Sequence, residues 1–464
     1  MEVLCNFAVG KTDKNMLIRK IDSYLGDFYK STNKALLVTG ARQTGKSFSI
    51  RQFGKRNFHR FVEINFIEQP DAVSAFRNAK SSQDILVRLS LLTDVPLEKG
   101  QTLVFFDEVQ ECPEIVTAIK FLVDEGSYRY IMSGSLLGVE LNDLRSEPVG
   151  YMDVKEMFPL DLEEFFMALG VSKQVVDGLR EAYNKKEMVD DFVHDKMMDL
   201  FRLYLIVGGM PAAVQKYVDT HNLQDVMAEQ QAIVRLYKRD IAKYDRSNKL
   251  YIQEIFDLIP SELNAKNKRF ILKNLNENNK FSRYENSFLW LKDAGVALPT
   301  YNVEEPVVPL KLSRSRSLFK LFLNDVGLLA SQYAEGIQLR ILSDEININF
   351  GAVFENAVAQ ELSAHGFELY YFNSKKQGEL DFVVEQNGHV VPIEVKSGKD
   401  YQRHNALSNV MTNADYDIPQ AFVFCHSNVR VEGNICYLPI YMVTFLRKDS
   451  IGQLVYSVDL SGIV

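Results

Sequence analysis

Gly40-Ala41-Arg42-Gln43-Thr44-Gly45-Lys46-Ser47 is the stretch that decides how this chain is read. It matches GxxxxGK[ST] at every fixed position. An apolar run, Ala35–Thr39, precedes it and a helix-like stretch, Phe48–Lys55, follows it. Strand, glycine-rich loop and helix in that order make a cradle for phosphate. The glycines let the backbone curl, successive N–H groups turn inward, and the helix adds the positive end of its dipole. ATP and Mg2+ are the expected occupants. Residues 40–47 would line the phosphates, Lys46 would bridge the β- and γ-phosphates, and Ser47 would place its hydroxyl on Mg2+.

A second motif lies about sixty residues further on, within the usual span of one nucleotide domain. Leu103-Val-Phe-Phe106-Asp107-Glu108 is an apolar strand ending in two carboxylates. Asp107 is expected to hold Mg2+ through its water shell, and Glu108 to polarise the attacking water as a catalytic residue beside Lys46. A bland alternative for the pair is a solvated acidic strand end. The run Tyr128–Met132 ends in Ser133-Gly134-Ser135, where Ser133 or Ser135 can sense the γ-phosphate or simply form a serine turn. Arg145, in the loop after it, is a candidate arginine finger.

Outward from these motifs the 464 residues divide by pattern. The continuous apolar runs Ala35–Thr39, Phe61–Asn65, Thr102–Phe106 and Tyr128–Ser133 predict a buried parallel sheet in an α/β core over 1–160. Helical periodicity over 161–250 predicts a lid or connector, opening at Asp161-Leu-Glu-Glu and turning at Gly208-Gly209 and Pro211. Short helices, a strand at Val296–Tyr301, a loop at Glu304–Pro309 and Leu318–Leu323 predict a winged-helix-like unit over 251–340. A second α/β unit over 341–464 opens with the helix Val353–His365. Strands Phe367–Phe372, Leu380–Val384, Val390–Val395 and Ala421–Cys425 follow, with a hairpin turn at Gly388.

The last unit carries its own constellation. Glu355 lies on its first helix, Asp381 on a strand, and Glu394 and Lys396 two apart on the next strand, so they share one face. Two carboxylates on neighbouring strands offer hard oxygens to a second Mg2+ or Mn2+, and a lysine beside them can orient water and neutralise phosphate. Alone, Glu-x-Lys is an ordinary surface ion pair.

The motifs resemble two known families. Gly-Ala-Arg-Gln-Thr-Gly-Lys-Ser, Phe-Phe-Asp-Glu-Val-Gln and Ser-Gly-Ser-Leu-Leu-Gly resemble bacterial and archaeal AAA-type P-loop ATPases with an uncharacterised C-terminal domain. Phe158-Pro159-Leu160, Glu163-Glu164-Phe165, Gly208-Gly209-Met210-Pro211 and Leu323-Asn324-Asp325-Val326-Gly327 match the same family in order. Many members carry Gly-Arg where this chain has Gly150-Tyr151, so a finger at that point is not implied here. Glu355, Asp381, Glu394 and Lys396 resemble the PD-(D/E)XK restriction-endonuclease-like fold. That resemblance implies Asp381 and Glu394 as metal ligands, Glu355 as an auxiliary ligand and Lys396 as catalytic.

Composition limits the choices. An apolar share of 46% and a charged share of 25% exclude wholesale disorder and a disulfide-stapled miniature. Four scattered cysteines give neither a zinc spacing nor a disulfide framework. No signal-peptide pattern or membrane-length apolar run is present, so a cytoplasmic protein is expected. Lysine and arginine number 53 against 61 acids, a net −8. Residues 261–330 nevertheless hold eleven basic against seven acidic residues, and Ser313-Arg-Ser-Arg-Ser317 could meet phosphates. The expectation is an ATPase coupled to a nuclease-like module acting on nucleic acid, with DNA a candidate partner and oligomerisation open. The rival is a regulatory switch whose C-terminal unit binds DNA or protein without cutting.

Overall fold

The computed structural model describes residues 17–79, 81–134, 148, 150–244, 249–265, 268–271, 275, 281–334, 336–343, 350–398, 400–448 and 457–458. The described residues build two sheets joined by a helical region.

The first sheet contains β1 (Ala35–Thr39), β2 (Arg60–Asn65), β3 (Thr102–Asp107), β4 (Arg129–Ser133) and β5 (Met152–Glu156). Its order is β2-β3-β4-β1-β5, and every pairing is parallel. The runs are continuously apolar because both faces are covered. Leu36, Val38, Leu103, Phe105 and Ile131 face the helices Lys20–Ser31 and Lys46–Asn57. Ala35, Leu37, Val104, Phe106, Tyr130 and Met132 face the helices Pro70–Arg77, Ser82–Leu92 and Pro113–Glu125. A parallel sheet gathers all its carboxyl ends on one edge, and ligands of open α/β sheets bind there. β4 stands between β1 and β3, so the ends of all three converge.

Among the described residues six helices follow: Leu162–Ala168, Lys173–Lys185, Asp191–Val207, Pro211–Thr220, Leu223–Tyr244 and Lys249–Asn264. The first opens with a capping box. Asp161 accepts from the Glu164 N–H, and the Glu164 carboxylate accepts from the Asp161 N–H. Gly208, at φ 68°, ends the third helix, and at Gly209 a Cβ would stand 2.0 Å from the Leu160 carbonyl.

The second sheet has eight strands. They are β6 (Ala297–Val303), β7 (Arg314–Leu323), β8 (Tyr370–Ser374), β9 (Gly378–Gln386), β10 (His389–Val395), β11 (Ala421–Cys425), β12 (Arg430–Glu432) and β13 (Ile435–Pro439). The order is β12-β13-β11-β10-β9-β8-β6-β7. β6 and β7, which fall in the segment expected as a winged-helix-like unit, are two strands of this sheet. β6 pairs with β8 in parallel. The physical reason is burial: an isolated two-stranded ribbon is marginal, and Phe319, Leu321, Phe322 and Leu323 are all buried. The buried Asn356 of the helix Gly351–Ala364 clamps the Leu323 backbone, accepting from its N–H at 2.8 Å and donating to its carbonyl at 3.0 Å. The sheet therefore does not divide near residue 340. Among the described residues, no helix is long and apolar enough to cross a membrane.

Candidate functional site

The phosphate loop leaves β1 through backbone that favours glycine at two points. Gly40 has φ 127° and Gly45 φ 92°, and a Cβ on Gly40 would meet the Met157 carbonyl at 2.2 Å. The Lys46 Nζ donates to the carbonyls of Gly40 at 2.8 Å and Ala41 at 2.7 Å, spanning the loop it belongs to. Thr44 is buried and bonds back to the Ala41 carbonyl at 3.0 Å. Burial pulls the Lys46 ammonium down to about 8, against the upward pull of Glu108 and Asp107, while Arg42 adds to the drop.

Asp107 ends β3 and is buried. Its Oδ1 accepts from the Ser47 hydroxyl at 3.0 Å, from the Ser133 hydroxyl, and from the Glu108 N–H at 3.1 Å. Its Oδ2 accepts from Asn65 at 3.2 Å and lies 3.5 Å from Arg51. Ser47, Asp107 and Ser133 thus meet at one point, as the strand order dictates. Glu108 stands just beyond, half-buried, in left-handed backbone at φ 55°, and Gln110 donates to its carboxylate at 2.5 Å. A bulky residue in that region is uncommon and marks a held side chain. Ser135 and Arg145 lie outside the described residues.

The residues fit Mg2+ in one respect: Ser47 and Asp107 bring hard oxygens together, the donor type Mg2+ takes.

The loop is also tied to other parts of the chain, a feature the motif alone does not announce. The buried Arg19 donates to the Thr44 carbonyl at 2.9 Å and to that of Phe158 at 2.8 Å. Arg42 donates to Asp240 at 2.6 Å, and Tyr237 donates to the Arg42 carbonyl at 3.1 Å; both partners lie on the helix Leu223–Tyr244. A Cβ on Gly295 would stand 2.9 Å from the Ala41 nitrogen, so the turn before β6 packs directly on the loop.

In the second sheet, Glu355, Asp381, Glu394 and Lys396 come together. Asp381 Oδ2 accepts from the Val395 N–H at 2.8 Å, which locks β9 to β10 between Glu394 and Lys396. Lys396 lies 2.7 Å from Glu394. Two further lysines join them from the segment expected as a winged helix. Lys268 bonds Glu355, and Lys320 on β7 lies 3.7 Å from Glu355 and 2.8 Å from Glu379. Burial and the Asp381 charge push the Glu394 carboxyl up to about 8, with Lys396 opposing. Burial and Asp381 likewise raise Glu355. Burial would raise Asp381 too, but Lys268, Lys320 and Lys396 hold it below the ordinary range.

This pairing alters the reading of two features. Lys268 and Lys320, counted toward a basic patch, are spent on buried carboxylates, while Lys266, Lys273 and Lys280 lie outside the described residues. Arg314 stacks over the Tyr301 ring at 4.5 Å. The three carboxylates do not all converge on one point. Among the described residues, one set of three such ligands has its atoms all within 4.8 Å of one another, and Glu355, Asp381 and Glu394 are not it. Each instead has a lysine beside it.

Comparison with known proteins agrees with the first of these sites. Residues 32–166 match the family described as AAA domain, while 198–339 and 350–443 match two domains of unknown function, DUF8612 and DUF4143. No curated protein matches the chain. Similar solved structures include the Walker-type ATPase PABY2304 of Pyrococcus abyssi, 15% identical over 69% of this chain and 97% of that one, at TM-score 0.41. Cdc6p from Pyrobaculum aerophilum is 13% identical over 73% and 97%, at TM-score 0.25. RuvB of Thermotoga maritima is 12% identical over 60% and 86%, at TM-score 0.28. The family match and the loop geometry agree: residues 32–166 resemble an AAA domain and carry a phosphate-binding loop.

Proposed function

We propose that this chain hydrolyses ATP with Mg2+ and couples turnover to a C-terminal, nuclease-like module that engages nucleic acid. The observation that carries the first half is the meeting of Ser47, Asp107 and Ser133 beside Lys46 at the carboxyl edge of the first sheet. Lys46 takes phosphate charge, and its ammonium is already turned into the loop. Glu108, held by Gln110, is positioned to accept a proton from water. Ser47 and Asp107 would hold Mg2+, which neutralises charge on the transferred phosphoryl group when bound.

Coupling rests on the ties that leave the loop. Arg42 and Tyr237 join it to the helix Leu223–Tyr244, and Gly295 joins it to the start of β6. A shift of the loop on nucleotide binding would reach both.

A second reading is favoured by one observation. Lys268, Lys320 and Lys396 already pair the carboxylates of the C-terminal cluster. On that reading the module binds DNA or protein without cutting. Plasmid incubated with the protein and Mn2+, with and without ATP, separates the two. Nicking that Asp381→Ala abolishes supports the nuclease. Retarded but intact DNA, with a steep salt dependence, supports a binding module.

A further inference from the structure

A ligand set lies apart from both sites above. Asp161 is the N-cap of the helix Leu162–Ala168, and Glu361 and His365 stand at the end of the helix Gly351–Ala364. One ligand atom from each lies within 4.8 Å of the other two. The His365 Nε2 is 3.4 Å from Glu361 Oε2 and 3.7 Å from Asp161 Oδ2.

The ring is oriented from behind. His365 Nδ1 lies 2.7 Å from the Leu446 carbonyl. A carbonyl only accepts, so Nδ1 carries the hydrogen and Nε2 presents a lone pair. Metal-ligating histidines are commonly fixed in this way. The lone pair then faces Glu361 Oε2 and Asp161 Oδ2, acceptors when ionised, of which Oδ2 also accepts from Lys20. His365 Nε2 and Glu361 Oε2 are both buried without a hydrogen-bond partner, and the two residues are 8% and 1% exposed. Stranded buried acceptors cost about 1–3 kcal/mol each. A divalent cation between them would satisfy all three groups and balance two carboxylate charges.

The geometry assigns Asp161, Glu361 and His365 as a binding site for a first-row divalent transition metal, with Zn2+ the best fit. One imidazole and two carboxylates suit Zn2+, whereas Mg2+ and Ca2+ take oxygen ligands. Two cations already attend Asp161: Lys20 Nζ at 2.5 Å and Arg447 Nη1 at 3.6 Å from Oδ2. Both have Glu163 as a second partner, at 2.7 and 3.1 Å, and their side chains are 37% and 39% exposed. They can shift onto Glu163 and leave Oδ2 to the metal. His365 also borders a cavity of about 810 Å3 lined by Glu156, Phe158 and Tyr370, which offers a way in. The metal would pin the segment after the ATPase sheet to the helix that carries Glu355 at its other end.

The test is a Zn2+ titration of chelator-stripped full-length protein against a competing chromophoric chelator, repeated with Co2+ for its visible absorption. One equivalent should bind, and His365→Gln should weaken it at least about tenfold. Glu361→Gln, which keeps an acceptor for the Leu162 N–H, should weaken it similarly and so guards against a folding defect in the histidine variant. ATP binding by each variant, measured in the same preparation, reports an intact fold. The assignment is overturned if the parent binds no metal, or if folded His365→Gln and Glu361→Gln bind it as the parent does.

Discussion

Arg42, in the middle of the phosphate loop, donates through Nη1 to Oδ1 of Asp240 at 2.6 Å, across 198 positions of sequence. A variable position of the loop motif is thereby fastened to a helix outside the nucleotide domain. If the loop moves on binding ATP, the helix Leu223–Tyr244 should respond. Hydrogen exchange by mass spectrometry should show ATP-dependent protection of that helix, and Asp240→Ala should reduce it. Unchanged protection in the variant would mean that the contact transmits nothing.

The Lys46 ammonium sits at about 8, lowered by burial from 10.5. Phosphate binds its charged form, so ATP affinity should fall as pH rises above about 8, by at most about tenfold per unit. For the nucleotide-free protein the sign is opposite. Between about 8 and 10.5 the unfolded state holds more protons at this group, so its contribution to stability improves with rising pH. Fluorescent-nucleotide titrations from pH 7 to 9.5 check the first, and urea melts over the same range check the second.

Asp325 fixes the Gly208-Gly209 turn to the Leu323–Leu329 segment. It accepts from the Gly209 N–H at 2.6 Å and the Leu328 N–H at 2.9 Å, and is fully buried. Asp325→Ala strands both donors and should cost about 2–4 kcal/mol in chemical denaturation. Gly209→Ala should destabilise as well, since its Cβ would lie on the Leu160 carbonyl.

Lys320 is completely buried between Glu355 and Glu379. Lys320→Met keeps the volume but removes the cation beside the half-buried Glu379 and one of the two beside the buried Glu355, at a cost of about 3 kcal/mol. Adding Glu355→Gln should recover part of that loss. Additive effects in the double mutant would contradict the pairing.

The nucleotide site was legible because its chemistry is local. Ala35–Thr39 occupies the strand positions predicted for it, Gly40 to Gly45 form the loop, and Lys46 and Ser47 open the helix after it. The convergence of Asp107 and Ser133 on Ser47 depends on strand order, which the motifs imply only together. The order Glu355, Asp381, Glu394, Lys396 could likewise be read along the chain. Lys268 and Lys320 could not, because a lysine on a strand looks the same whether it faces solvent or a carboxylate. The same holds for β6 and β7, in the segment expected as winged-helix-like: their short apolar runs do not say which sheet they join. Asp161 and His365 gave no signal, being parted by two hundred residues and brought together only by packing.

The proposed reaction is ATP turnover by residues 32–166 through Lys46 and Glu108. Phosphate release, measured alongside nucleotide binding in the parent, Lys46→Ala and Glu108→Gln, tests it most directly. Lys46→Ala should bind no nucleotide. Glu108→Gln should bind it nearly as the parent does, with turnover reduced at least about 100-fold. Hydrolysis by Lys46→Ala at the parental rate would contradict it.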